Sequence, residues 1–184
     1  MLVVMTLALV APGGVEVGDA APRFTLTADD GTEWKSADHF GDGGFYAVYF
    51  YPADMTGGCT KQACAFRDDG EDLKAAGVTV IGVSGDSVEN HRLFKKAHGL
   101  NFTLLADPEA KAAEAFGVPY QIGMKSIERT IDGVDHTLTR GATIKRWTYL
   151  IGPDGEVAMV NPQVKAAGDS AAVLKTVRAM KAGG

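Results

Sequence analysis

Residues 45–51 read Phe-Tyr-Ala-Val-Tyr-Phe-Tyr, a run with no charged or amide break, bounded by Gly43-Gly44 before it and Pro52 after it. A strand with one wet face alternates apolar and polar residues. A run without that alternation, rich in aromatic and β-branched side chains, predicts a strand covered on both faces. Such a strand needs a packed layer above and below it, which most often means helices on either side of a sheet.

The rest of the chain supplies those layers. Val78–Val83 and Phe102–Ala106 are two further apolar runs, and Phe24–Thr27 predicts a short strand. Helical patterns are predicted over Lys61–Ala76 and Val88–His98, the second with Ser87 as N-cap and Gly99 just past its end. Asp107-Pro108 predicts the start of a short helix that Gly117 closes. Lys145–Ile151 and Glu156–Val160 flank the turn Gly152-Pro153-Asp154-Gly155 as an antiparallel pair, and a C-terminal helix runs from Asp169 or Ser170 to Lys181. The expectation is an α/β fold with a central, mostly parallel sheet, helices on both faces and a C-terminal antiparallel hairpin.

At 184 residues the chain has the length of one domain, expected over residues 15–184. Tyr120–Thr143 is polar and turn-rich and reads as a surface insertion with Asp132-Gly133 as a hairpin tip. Residues 1–14 read as a leader. Its apolar part, Leu2–Ala11, is too short for the ~20 residues of a membrane span and has no Lys or Arg before it. A cytoplasmic protein is expected, or a periplasmic or secreted one if the leader belongs to a signal peptide. The net charge of −5 is spread along the chain, which leaves no basic footprint for nucleic acid and no polybasic membrane patch.

Two cysteines, Cys59 and Cys64, are too few for a disulfide scaffold or a four-thiolate zinc site. Cys59 follows the buried strand at the start of a helix, where α/β sheets gather ligands. The unpaired N–H groups and partial positive charge of a helix start favour thiolate over thiol. Thr56 can hydrogen-bond within the same turn. Five residues along a helix put two Cα atoms roughly 8–9 Å apart and about 140° around the axis, whereas a disulfide needs them within about 7 Å. Either the two sulfurs never meet, with Cys64 a small buried apolar residue, or the helix unwinds when they do. Neither cysteine has a nearby His at ligand spacing, and His91 and His98 are seven apart on a helix with no acidic or thiol partner at hand, so no metal site is expected, nor any cofactor.

The segment Pro52-Ala53-Asp54-Met55-Thr56-Gly57-Gly58-Cys59 resembles the P-x-x-x-T-x-x-C signature of peroxiredoxins. Thr60, Gln62, Ala63, Cys64, Phe66, Arg67 and Asp68 extend the likeness to the bacterioferritin-comigratory-protein or Q subgroup, and the resemblance runs from about Val17 to Leu174. It implies a thioredoxin-like fold and thiol-dependent reduction of hydrogen peroxide and organic hydroperoxides. Cys59 would be the peroxidatic cysteine and Cys64 the resolving one, forming an intramolecular disulfide that thioredoxin or a similar dithiol reduces. Thr56 would hydrogen-bond peroxide and thiolate, Arg146 would stabilise negative charge beside Cys59, and Pro52 would shield the thiolate. A monomer or weak homodimer is expected. The alternatives are a one-cysteine peroxidase with a structural Cys64, and a disulfide oxidoreductase, whose motif would usually read C-x-x-C.

Outside the resemblance, Arg146 reads as a surface strand residue, Gln62 and Arg67 as a solvated helix face, and Trp147 as core. The chain departs from the subgroup at Gly57, where proline is usual, and in the length of the 120–143 segment. Glycine at the helix start predicts easier local unfolding.

Overall fold

A computed structural model describes residues 14–183, so the leader expected over residues 1–14 lies outside the described residues except for Gly14. The strands are β1 (Thr25–Ala28), β2 (Glu33–Lys35), β3 (Phe45–Phe50), β4 (Val78–Ser84), β5 (Thr103–Ala106), β6 (Tyr120–Ile131), β7 (Val134–Ile144), β8 (Trp147–Ile151) and β9 (Val157–Asn161). The α-helices are α1 (Gly57–Asp68), α2 (Gly70–Ala75), α3 (Val88–His98), α4 (Lys111–Phe116) and α5 (Asp169–Gly183).

Seven strands form one sheet in the order β2-β1-β5-β4-β3-β8-β9, and β6 and β7 form a separate hairpin. The pairs β3–β4 and β4–β5 are parallel, and the other four pairings of the sheet are antiparallel. The sheet is thus mixed: its parallel character, expected of most of the sheet, belongs to the three central strands, and the expected C-terminal antiparallel hairpin is present as β8–β9. The reason lies in the connections: α1 with α2, and then α3, make the crossovers that parallel neighbours need, whereas short turns join β1 to β2 and β8 to β9.

Strand β3 is at the heart of this sheet, between β4 and β8, and all six of its residues are buried. Tyr46, Val48 and Phe50 pack in the cluster that includes Ala112 and Phe116 of α4. Ala47, Tyr49 and the following Tyr51 face the opposite cluster, built from α1, α2, α3 and α5 through Ala63, Phe66, Leu73, Phe94 and Val173. The unbroken apolar run is thus the signature of helices on both faces.

Three elements differ from their sequence reading. The helix predicted over Lys61–Ala76 starts at Gly57 and breaks at Asp69, whose carboxylate accepts from Ser170 Oγ at 2.6 Å. The helix predicted from Asp107-Pro108 starts only at Lys111. The Asp107 carboxylate still caps it, accepting the N–H groups of Lys111, Ala112 and Ala113 across an extra turn in which Ala110 is left-handed. The strand predicted from Lys145 begins at Trp147, leaving Arg146 outside the ladder. Helix α3 begins and ends as read: Ser87 Oγ accepts from the Asn90 N–H, and Gly99 closes the helix at φ 60°.

Residues 120–144 form a long antiparallel hairpin whose tip is Asp132-Gly133, both at positive φ as a two-residue hairpin turn requires. At its base the Gly141 N–H donates to Gly85 O at 2.9 Å. Among the described residues no helix is long and apolar enough to cross a membrane.

Candidate active site

The site is set by strand register. Phe50, the last residue of β3, pairs with Trp147, the first of β8. The residue before Trp147 therefore meets the chain leaving β3, and that residue is Arg146. Thr56 then serves as backbone N-cap of α1, and Cys59 falls in its first turn, 2% exposed. Residues 87 positions apart are joined in this way: Arg146 Nη2 donates to Cys59 Sγ at 3.2 Å.

The other end of the guanidinium is also held. Arg146 Nη1 donates to Gln62 Oε1. Gln62 Nε2 donates to Asp169 Oδ2 at 2.7 Å, and Thr148 Oγ1 donates to the same oxygen at 2.6 Å. Burial pushes the Asp169 carboxyl upward, against the pull of Thr148, Gln62 and Arg146. Two nitrogens of one planar fork are thus committed to different acceptors, which fixes the guanidinium against the sulfur. Donors fixed in this way stabilise negative charge on sulfur without reorganising when it forms. Gly58 leaves the guanidinium room, since a Cβ there would lie 3.2 Å from Arg146 Nη2, a tight contact.

Thr56 Oγ1 donates to Ala53 O at 2.9 Å rather than capping α1, so its oxygen can still accept from a bound molecule. Pro52 and Arg146 border an open groove of about 400 Å³ that Pro119, Tyr120, Gln121 and Ile144 complete. Cys64 lies on the same unbroken helix and is half-buried, and both thiols are free. The structure therefore brings Pro52, Thr56, Cys59 and Arg146 to one place and holds Cys64 apart.

Several site contacts were not legible. Gln62, whose sequence pattern suggests a solvated helix face, is fully buried, and so is Asp169, which in sequence marks only a helix start. Arg67 lies away from Cys59, bonded to Asp68 and to His98 O. Trp147 is half-buried and stacks on Tyr149. His91 does have an acidic partner, since Asp54 Oδ2 is 2.7 Å from its Nδ1. Their separation of 37 positions along the chain hides the pair in the sequence.

A helix-start thiol under a guanidinium, on a mixed sheet with helices on both faces, is the arrangement of a thioredoxin-fold thiol peroxidase. Residues 17–160 match the AhpC/TSA family, and the chain belongs to that family of peroxiredoxins. Its relatives include Bcp and Q peroxiredoxins. Peroxiredoxin Bcp of Bacillus subtilis is 37% identical over 166 residues, which cover 90% of this chain and 97% of that protein. The chloroplastic peroxiredoxin Q of Oryza sativa subsp. japonica is 53% identical over 107 residues, 58% of this chain and 48% of that one. The solved bacterioferritin comigratory protein of Xanthomonas campestris superposes with a TM-score of 0.71 at 31% identity, over 90% of this chain and 97% of its own.

Proposed function

We propose that Cys59 is the peroxidatic cysteine of a two-cysteine peroxidase, a reading carried by the guanidinium of Arg146 on its buried sulfur. The Cys59 thiolate attacks one oxygen of a hydroperoxide. The O–O bond breaks, the second oxygen leaves as water or alcohol after taking up a proton, and sulfur is left as sulfenic acid. Arg146 stabilises the charge on the attacking sulfur and then on the leaving oxygen, while Thr56 Oγ1 accepts a hydrogen bond from the peroxide O–H and so orients it. Pro52 walls the thiolate from bulk water, and the groove beside it receives the organic part of a hydroperoxide. The Xanthomonas relative is described by its alkyl peroxide reduction activity, which supports this substrate class.

Cys64 then attacks the sulfenic sulfur, forming the disulfide and releasing water. Both cysteines lie in α1, five residues apart, so the first turns of α1 unwind for this step. Thioredoxin or a similar dithiol reduces the disulfide by exchange and closes the cycle. The test is peroxide-dependent turnover with a thioredoxin system, on hydrogen peroxide and on an alkyl hydroperoxide. Turnover of both supports the reading, and no turnover with any dithiol contradicts it.

Gly57 tunes the unwinding. It is the first helical residue after Thr56, a position where proline is favoured. A Cβ there meets nothing within 4 Å, and Thr56 has the extended backbone that a residue before proline needs. Gly57→Pro is expected to stabilise the packed helix by ~0.4–1 kcal/mol and so slow disulfide closure about two- to fivefold. Stopped-flow fluorescence follows the closure, and an unchanged or faster step would contradict the unwinding requirement.

A further inference from the structure

The loop between β3 and α1 has two tasks under this reading. It must be rigid when peroxide arrives and must loosen when Cys59 travels to Cys64. The middle of this loop is anchored by Asp54, which is fully buried. Asp54 Oδ1 accepts from the Tyr51 hydroxyl at 2.7 Å, Oδ2 lies 2.7 Å from His91 Nδ1 of α3, and the Asp54 N–H donates to Asp86 Oδ2 at 2.9 Å. Asp86 also accepts from Ser84 Oγ and from Asn90 Nδ2, and that amide donates in addition to Thr139 O of the hairpin. From outside, Arg129 of the hairpin donates its Nε to Met55 O at 3.0 Å. Met55 itself has φ 58°, a conformation a methionine keeps only where its surroundings over-determine it.

A buried carboxylate without a partner is costly, so it is informative that a fully buried imidazole shares this one. Burial alone would push His91 down, but the charge and hydrogen bond of Asp54, with the charge of Asp86 added, raise the imidazole above its ordinary value. Burial, and then Asp54, push the Asp86 carboxyl up. None of these groups hydrogen-bonds to Cys59 or Arg146 among the described residues, so the peroxidase chemistry does not account for them.

We infer that the Asp54–His91 pair is a clasp that sets the balance between the packed Cys59 turn, which meets peroxide, and the unwound turn, from which Cys59 reaches Cys64. Its consequence for the disulfide step rests on the two-cysteine reading above. Asp54 stands two residues before the N-cap of α1, so it fixes the end from which the helix frays. Asp54 and His91 touch neither sulfur nor peroxide; they are positioning residues.

Amide hydrogen exchange on the reduced full chain tests the clasp. In Asp54→Asn and in His91→Gln the amides of Thr60 to Cys64 should exchange about tenfold faster, a modest share of what breaking a buried charge pair can cost. Combining the two substitutions should add little to the larger single effect, because the residues act as one unit. Tyr51→Phe, which deletes only a hydroxyl, should move the same amides less and serves as the test if the charge variants do not fold. Leu26→Ala, a truncation in the cluster on the other face of the sheet, should lower global stability without singling out this turn. After one equivalent of peroxide, disulfide closure should quicken in the same order as exchange. Unchanged exchange at Thr60–Cys64, or an acceleration no more local than that of Leu26→Ala, overturns the clasp. A wild-type chain that oxidises without closing a disulfide sinks the two-cysteine reading instead, and the exchange result still decides the clasp.

Discussion

Cys59→Ser should abolish peroxide consumption, lowering the second-order rate of the first turnover by at least about a thousandfold. The expected loss is chemical in origin. Sulfur is intrinsically a strong nucleophile, and at a helix start under a guanidinium its negative charge is stabilised, whereas a serine hydroxyl there is a poor nucleophile toward an O–O bond. The substitution changes one atom at a position 2% exposed, so packing is nearly conserved and the loss reads chemistry rather than unfolding. Cys64→Ser should behave differently: the first turnover proceeds at its wild-type rate, and sustained dithiol-driven cycling stops. Stopped-flow mixing with hydrogen peroxide measures the first step, and coupled reductant consumption measures the second. Normal cycling by Cys59→Ser would reassign the nucleophile.

Arg146→Ala should lower the same second-order rate by about 10²–10³-fold, the usual effect of removing one fixed donor from a developing negative charge. Arg146→Lys should recover only part of this loss. One ammonium cannot hold the two acceptors, Cys59 Sγ and Gln62 Oε1, that the fork holds at once. Truncation also leaves the buried Gln62 oxygen without its donor, at a stability cost of ~1–3 kcal/mol. The rates are therefore compared at a temperature where both proteins are fully folded. A decrease below threefold in Arg146→Ala would remove the guanidinium from the proposed chemistry.

What the sequence made legible follows from range. The central strand, the capped helix α3 and the hairpin tip at Asp132-Gly133 are written in neighbouring residues, and each forms where it was read. The peroxiredoxin signature points to Thr56 and Cys59 and the wider likeness to the family points to Arg146, and strand register explains why the last of these belongs with the others. Hidden features depend on distant partners. Gln62 reads as polar helix surface until Asp169 docks against it from α5, 107 residues on. The break at Asp69 is invisible in a pattern that keeps Phe66 and Leu73 in phase, because Ser170 of α5 supplies the contact there. The same holds for Asp54 and His91. A histidine on a helix gives no hint of the loop that will meet it.

The proposed cycle requires Cys59 and Cys64 to become bonded although an intact helix keeps them apart. The most direct test is intact-protein mass and free-thiol count on the full reduced chain after one equivalent of hydrogen peroxide. The expected product has lost two hydrogens and both thiols, with peptide mapping placing Cys59 and Cys64 in one disulfide. A product that instead carries one added oxygen on Cys59, with Cys64 still a free thiol, would contradict the account and leave a one-cysteine peroxidase.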